Sequence, residues 1–168
     1  MKNITTIIPS IRGGDPLIRS INSVLNQTIL PKKVIVVISD INDVKRENIV
    51  KHFNEYTNIK FISSINKISA PKARNIGFDN SDSDLVHFLD DDDYLSDSFY
   101  ADTLNNWSSD EIIGISHSVQ WISDKDNTKN YSIRKFNSIS QRDLIKENYV
   151  GITSSVVLRS SIFRKLFK

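Results

Sequence analysis

The residues best suited to chemistry are four consecutive carboxylates, Asp90, Asp91, Asp92 and Asp93. Held close together such groups repel, and some are driven to keep a proton unless a cation compensates. Hard divalent cations take oxygen ligands, and Mg²⁺ usually combines one or two carboxylates with the phosphates of a substrate. Asp-x-Asp spacing after a strand can bring two carboxylates to one ion, which then neutralises a diphosphate and stabilises it as a leaving group. A solvated acidic turn is the bland alternative, because Asp is common in turns and near helix N-termini. Four aspartates directly after the largely apolar strand 85–89 favour the metal.

Other uses of acidic or glycine-rich segments fit less well. A calcium loop counted from Asp90 would need glycine sixth and glutamate twelfth, where Leu95 and Ala101 stand. A phosphatase-like hydrolase with Asp90 as nucleophile also carries Asp-x-Asp after a strand. Its motif, however, ends the first strand and is followed by a small residue, whereas here the fourth strand leads to Tyr94. Gly13-Gly14 is not a phosphate-binding P-loop, since no Gly-Lys-Ser/Thr follows.

The elements that must position these carboxylates read as strands alternating with helices. Residues 4–8 form an apolar run ending at Pro9, a strand. Asp15-Pro16 reads as an N-cap with proline at the first helical position, and Leu17, Ile18, Ile21, Val24 and Leu25 follow at helical spacing. The β-branched run 34–38 suits a strand covered on both faces. A weaker helix over 43–56, a strand over 59–62, a helix over 69–78 and a strand over 85–89 complete the first half. This order predicts an α/β fold with a mostly parallel central sheet and flanking helices. Ligands of such sheets sit beyond the carboxyl ends of the strands, which gathers Pro9-Ser10, Ser39-Asp40 and Asp90 to Asp93 on one edge.

The second half changes character. A helix capped by Ser96, with Leu95 stapled onto Tyr100, is followed by a long strand over 111–122, a turn over 124–130 and a returning strand over 131–136. A short helix over 141–146, a strand over 152–158 and a helix from Ser160 close the chain. His87 reads as a packed, hydrogen-bonded strand histidine and His52 as a solvent-facing helix residue. His117 is open to either core packing or a ligand, and Trp107 and Trp121 read as core or rim residues.

The whole chain narrows the class. It has 168 residues, 39% hydrophobic and 25% charged, enough for a folded domain with a sizeable core. A net charge of +2 gives no general attraction to nucleic acid or membranes, while leaving peripheral membrane association open. The chain has no cysteine, so disulfides and cysteine-ligated zinc are excluded within it. No apolar run reaches a membrane span, and the first residues lack a signal-peptide core. The expected location is cytoplasmic, including the inner face of the membrane.

Several segments together resemble the family 2 glycosyltransferases of the GT-A fold. They are Thr6-Ile7-Ile8-Pro9-Ser10, Ser23-Val24-Leu25-Asn26-Gln27-Thr28, Ala73-Arg74-Asn75-Ile76-Gly77, Phe88-Leu89-Asp90-Asp91-Asp92-Asp93 and Ile152-Thr153-Ser154-Ser155-Val156-Val157. The resemblance implies a Rossmann-like sheet and transfer of a sugar from a nucleotide diphosphate donor, a UDP-sugar in many members. The acceptor hydroxyl would belong to a glycan or lipid-linked molecule, the anomeric carbon would invert, and Mn²⁺ or Mg²⁺ would assist. Bacterial polysaccharide assembly is the setting this suggests.

By the same resemblance Asp92 and Asp90 contact the metal and Asp91 the donor's ribose or sugar. Pro9 and Ser10 border the base, and Arg74 approaches base or phosphate. The family's base-contacting Asp after the second strand has Ser39 or Asp40 in its place. The general base, an Asp or Glu of a later Glu-Asp pair, is expected beyond Lys168, so the C-terminal part of the fold is expected to be incomplete. A nucleotide-sugar-binding domain without efficient transfer is the competing reading. Residues 1–94 are expected to form the nucleotide-binding half, and residues 95–168 the start of the acceptor-side half of the same domain.

Overall fold

The computed structural model describes residues 2–122, 129–132 and 151–166. Strands β1 (Ile4–Ser10), β2 (Lys33–Ser39), β3 (Ile59–Ser64) and β4 (Leu85–Phe88) alternate with helices α1 (Asp15–Leu25), α2 (Asp43–His52) and α3 (Ala70–Asp79). Helix α4 (Phe99–Asn106) follows, then β5 (Gly114–Ser116), β6 (Val119–Ile122) and β7 (Lys129–Ser132). A 3₁₀ turn (Thr153–Ser155) leads into β8 (Val156–Arg159) and α5 (Ser160–Leu166). The main sheet runs β3-β2-β1-β4-β8-β5. The first four strands are parallel, and β8 lies antiparallel between β4 and β5.

Strand periodicity sorts the core into two layers. Ile4, Ile8, Val34, Val36 and Ile38 pack on one face with Leu17, Ile21 and Val24 of α1, Ile49 of α2 and Phe99 and Tyr100 of α4. Ile7, Ile35 and Val37 face the other way, onto Ala73 and Phe78 of α3 and Phe163 of α5. Burial on both faces explains why residues 34–38 are apolar without alternation.

The chain departs from expectation at several element ends. Gly14, not Asp15, is the N-cap of α1, which puts Asp15 in the first turn, where its charge meets the positive helix end. Helix α4 begins after Ser98 rather than Ser96; the Ser96 carbonyl accepts the Phe99 N–H at 3.1 Å in a turn ahead of the helix, and also Gln27 Nε2 at 2.6 Å. The long strand expected over 111–122 is two strands. β5 pairs with β8 in the main sheet and β6 pairs with β7 in a separate ribbon, so the chain changes sheets at 117–118. Lys129 and Asn130, expected in a turn, belong to β7. Thr153–Ser155 forms the 3₁₀ turn where strand was expected. Residues 124–128, 133–136 and 141–146 of the expected turn, returning strand and helix lie outside the described residues.

Candidate donor-binding cleft

An open cleft of ≈ 620 Å³ lies beyond the carboxyl ends of β1 and β2. Pro9, Ser10 and Ser39 come from the two strand ends, Arg74 from α3, and Asp90, Asp91 and Asp92 from the segment after β4. Ile11, Arg12, Lys67 and Ser69 also line it, and none of them belongs to a site motif visible in the sequence. Asp40 does not line it: it is exposed at φ 59, whereas the neighbouring Ser39 is buried. Of the two candidates after β2, Ser39 is the one placed in the cleft.

The carboxylates are ordered by specific partners rather than splayed into solvent. Asp91 is buried; it accepts from Ser10 Oγ at 2.6 Å and from Arg12 Nη2 at 3.0 Å. The same Arg12 nitrogen reaches Asp92 Oδ2 at 2.8 Å. Arg74 Nη2 pairs with Asp90 Oδ1 at 2.5 Å. Side-chain exposure rises from 9% at Asp91 to 37% at Asp90 and 51% at Asp92, so the last two are the carboxylates open to a ligand. Asp93 is held above the usual carboxylate range, first by burial, with Asp90 and Asp92 adding repulsion and Ser154 and Arg19 opposing the shift.

Alignment of α3 explains the position of Arg74. Gly77 lets the helix lie against β1, since a Cβ there would meet Ile7 Cγ2 at 2.4 Å. Ala73 and Phe78 are buried on the same side, leaving Arg74 at the cleft. Arg74 Nε is buried and has no hydrogen-bond acceptor among the described residues, a position in which an incoming anion could serve.

Beneath the acidic segment runs a buried polar chain. His87 is fully buried, with Nε2 2.9 Å from the Ser154 carbonyl and Nδ1 3.0 Å from Tyr100 Oη. A carbonyl only accepts, so Nε2 carries the proton, Nδ1 accepts from Tyr100, and Tyr100 in turn accepts from Thr6 Oγ1. Burial lowers the His87 pKa to about 4 and raises that of Tyr100. Ser154 Oγ then accepts the Asp90 backbone N–H at 3.0 Å. The packed role expected for His87 thus extends to holding the floor of the site. His117 is stacked on Phe99 at 4.1 Å and bonded to Thr103 Oγ1 at 2.8 Å, which is the core alternative. Trp107 is buried, Trp121 is 57% exposed, and His52 is exposed.

Among the described residues no group of three or more His, Cys, Asp or Glu could cage a metal by itself. The oxygen donors suit the other arrangement, in which a hard cation takes one or two carboxylates and the phosphates of its substrate. Asp90 and Asp92 offer those oxygens at the cleft.

The sheet order, the cleft beyond its strand ends and the acidic segment after β4 define the GT-A class of nucleotide-sugar-binding folds. Solved GT-A structures superpose over nearly the whole chain. S. aureus TarS residues 1–349 in complex with UDP-GlcNAc matches with a TM-score of 0.70 and 18% identity, covering 98% of this chain and 47% of that one. The mannosyltransferase PcManGT of Pyrobaculum calidifontis, with GDP-Man and Mn²⁺, matches at 0.72 and 11%, covering 99% and 47%. Residues 5–167 match the family described as Glycosyl transferase family 2, and the chain belongs to that family. Poly(ribitol-phosphate) beta-N-acetylglucosaminyltransferase TarP of Staphylococcus aureus (strain N315) is 33% identical over 120 residues, 68% of this chain. The aligned part is 36% of that relative's length. No helix among the described residues is long and apolar enough to cross a membrane.

Proposed function

We propose that the chain is the donor-binding part of a metal-dependent glycosyltransferase that takes a sugar from a nucleoside diphosphate, UDP first among the candidates, and passes it to an acceptor hydroxyl. The observation that carries this is the charge pattern of the cleft. Three carboxylates, Asp90, Asp91 and Asp92, face three cations, Arg12, Lys67 and Arg74. The formal charges cancel, so an added diphosphate is uncompensated unless a dication arrives with it. Mn²⁺ or Mg²⁺ on Asp92 and Asp90 would neutralise the diphosphate and stabilise it as leaving group.

Five of the lining residues have a defined part in this reading. Pro9 and Ser39 border the base, Ser10 fixes Asp91, Asp91 faces ribose or sugar, and Arg74 presents its fork to phosphate. In transfer the acceptor oxygen bonds to the anomeric carbon, the bond to the diphosphate oxygen breaks, and the acceptor proton passes to a base. Attack opposite the leaving group inverts the carbon. Asp110 does not suit the base: it is exposed and paired with Lys2 at 2.8 Å and Arg159 at 3.4 Å, away from the cleft. The base is assigned outside the described residues.

The TarS complex and the TarP relative make UDP-GlcNAc the first donor to test. The acceptor in this reading is a glycan or lipid-linked hydroxyl. Calorimetry of UDP with and without Mn²⁺ tests the site: binding that strengthens with Mn²⁺ is expected, and metal-independent or absent UDP binding overturns it. A second reading, donor binding without transfer, is favoured by the pairing of Asp91 and Asp92 with Arg12 and of Asp90 with Arg74, which occupies the described cleft carboxylates with arginines. Sugar transfer by this chain compared with a C-terminally extended one separates the two.

A further inference from the structure

Arg12 stands in the cleft without any motif to announce it. Its backbone is fixed from three sides. Gly13 and Gly14 take φ of 57° and 77°, values that other residues adopt only with strain. Gly13 N–H donates to Ser10 Oγ at 3.0 Å, and Lys45 Nζ of α2 donates to the Arg12 carbonyl at 2.5 Å. A side chain at Gly13 would also meet Ile41 Cδ1 at 2.9 Å. The side chain, in contrast, is 60% exposed, and one guanidinium nitrogen bridges Asp91 Oδ1 and Asp92 Oδ2. An anchored backbone with an exposed head group lets the charge move without refolding the loop.

We propose that Arg12 is a resident counter-cation that competes with the divalent ion for Asp92 and couples metal binding to nucleotide binding. The proposal rests on the donor-site reading above. With no donor bound, Arg12 offsets one of the two negative charges of the Asp91–Asp92 edge. A metal arriving alone meets a carboxylate already paired, and a cation beside it. A metal arriving with a diphosphate brings negative charge to which the guanidinium can turn, its planar fork being suited to phosphate. Binding of either partner therefore favours the other through Arg12, and the coupling is reciprocal.

Free Mn²⁺ is followed by electron paramagnetic resonance during titration of wild type, Arg12→Gln and Arg12→Lys, each with and without UDP. Without UDP, R12Q is expected to bind Mn²⁺ roughly 2- to 5-fold more tightly than wild type, the range that loss of a solvent-exposed ion pair allows. UDP should then strengthen Mn²⁺ binding less in R12Q than in wild type. R12K, which keeps the charge, should stay close to wild type without UDP. Thermal melting checks that each variant is folded. If wild type binds Mn²⁺ with UDP but R12Q shows the same or weaker Mn²⁺ affinity and unchanged coupling, the role of Arg12 is wrong and the donor site stands. If no form binds Mn²⁺ even with UDP, both readings fall.

Discussion

Ser10 and Asp91 lie 81 positions apart in sequence and 2.6 Å apart in space, hydroxyl to carboxylate, at the carboxyl ends of neighbouring parallel strands. The contact ties the tip of β1 to the segment after β4. Ser10 Oγ simultaneously accepts the Gly13 N–H at 3.0 Å, so one hydroxyl registers the acidic segment against the Arg12 loop.

Ser10→Ala removes both bonds and leaves a buried carboxylate short of a donor. The expected cost is about 1.5–3 kcal/mol of stability, the range for hydrogen bonds to charged groups. Denaturant unfolding measures it. A loss below about 0.5 kcal/mol would mean that Ser10 and Asp91 are not coupled as described.

Asp91 and Asp92 should separate by phenotype. Asp92 is 51% exposed in its side chain, so Asp92→Asn is expected to shift stability by less than about 1 kcal/mol. It should weaken Mn²⁺-dependent UDP binding on the order of 10–100-fold, as disturbed metal sites do. Asp91→Asn, at 9% exposure and with Ser10 and Arg12 as partners, should cost stability first. Melting curves beside calorimetry decide it, and the reverse assignment would move the metal contact to Asp91.

Much of this was legible in the sequence, for identifiable reasons. Residues 34–38 announce a doubly covered strand because burial on both faces leaves no polar positions. Asp90 to Asp93 announce themselves because adjacent carboxylates need a compensating charge. Gly77 falls on the packing side of a helix by its spacing, whereas the role of Arg74 is legible only through the family resemblance of the segment Ala73 to Gly77. What stayed hidden depends on contacts distant along the chain. Arg12 meets Asp91 and Asp92 across 79 and 80 positions, and a single arginine beside two glycines carries no pattern. Ser154 supports Asp90 from 64 positions away. The break between β5 and β6 was missed because Gly114 to Ile122 has strand-like composition, whereas the change of sheet is set by pairing with β8 and β7.

His87 gives stability a specific acid dependence. Its pKa is about 4 in the folded chain against 6.5 for the free group, because burial disfavours the charged ring. A lowered histidine pKa means that the unfolded chain binds the proton first, so stability is intact above pH 6.5 and falls as pH drops towards 4. The loss across that window is on the order of 3 kcal/mol from this group. The His117 pKa is also lowered by burial, so it acts in the same direction. His87→Gln should be less stable at pH 7, having broken the link between Tyr100 and Ser154, yet lose less between pH 6.5 and 4. Parallel stability–pH curves for wild type and variant would contradict the assignment.

Gly77→Ala probes how the cleft depends on helix placement far from its ligands. The added Cβ would stand 2.4 Å from Ile7 Cγ2 and 3.3 Å from Ile7 Cγ1, on a strand residue that is fully buried. Ile7 cannot swing away, because Ile35 and Phe88 belong to the same packed layer. The helix must therefore move or the core must strain, at about 1–3 kcal/mol. Since α3 also carries Arg74, a displaced helix should lengthen the Arg74–Asp90 pair and weaken UDP binding along with stability. Ile7→Ala in the same chain removes Cγ1 and Cγ2, the atoms the added methyl meets, so beside Gly77→Ala it should cost less stability than it does alone and should recover part of the UDP affinity. Recovery of stability without recovery of UDP affinity would show that Arg74 does not depend on the seating of α3.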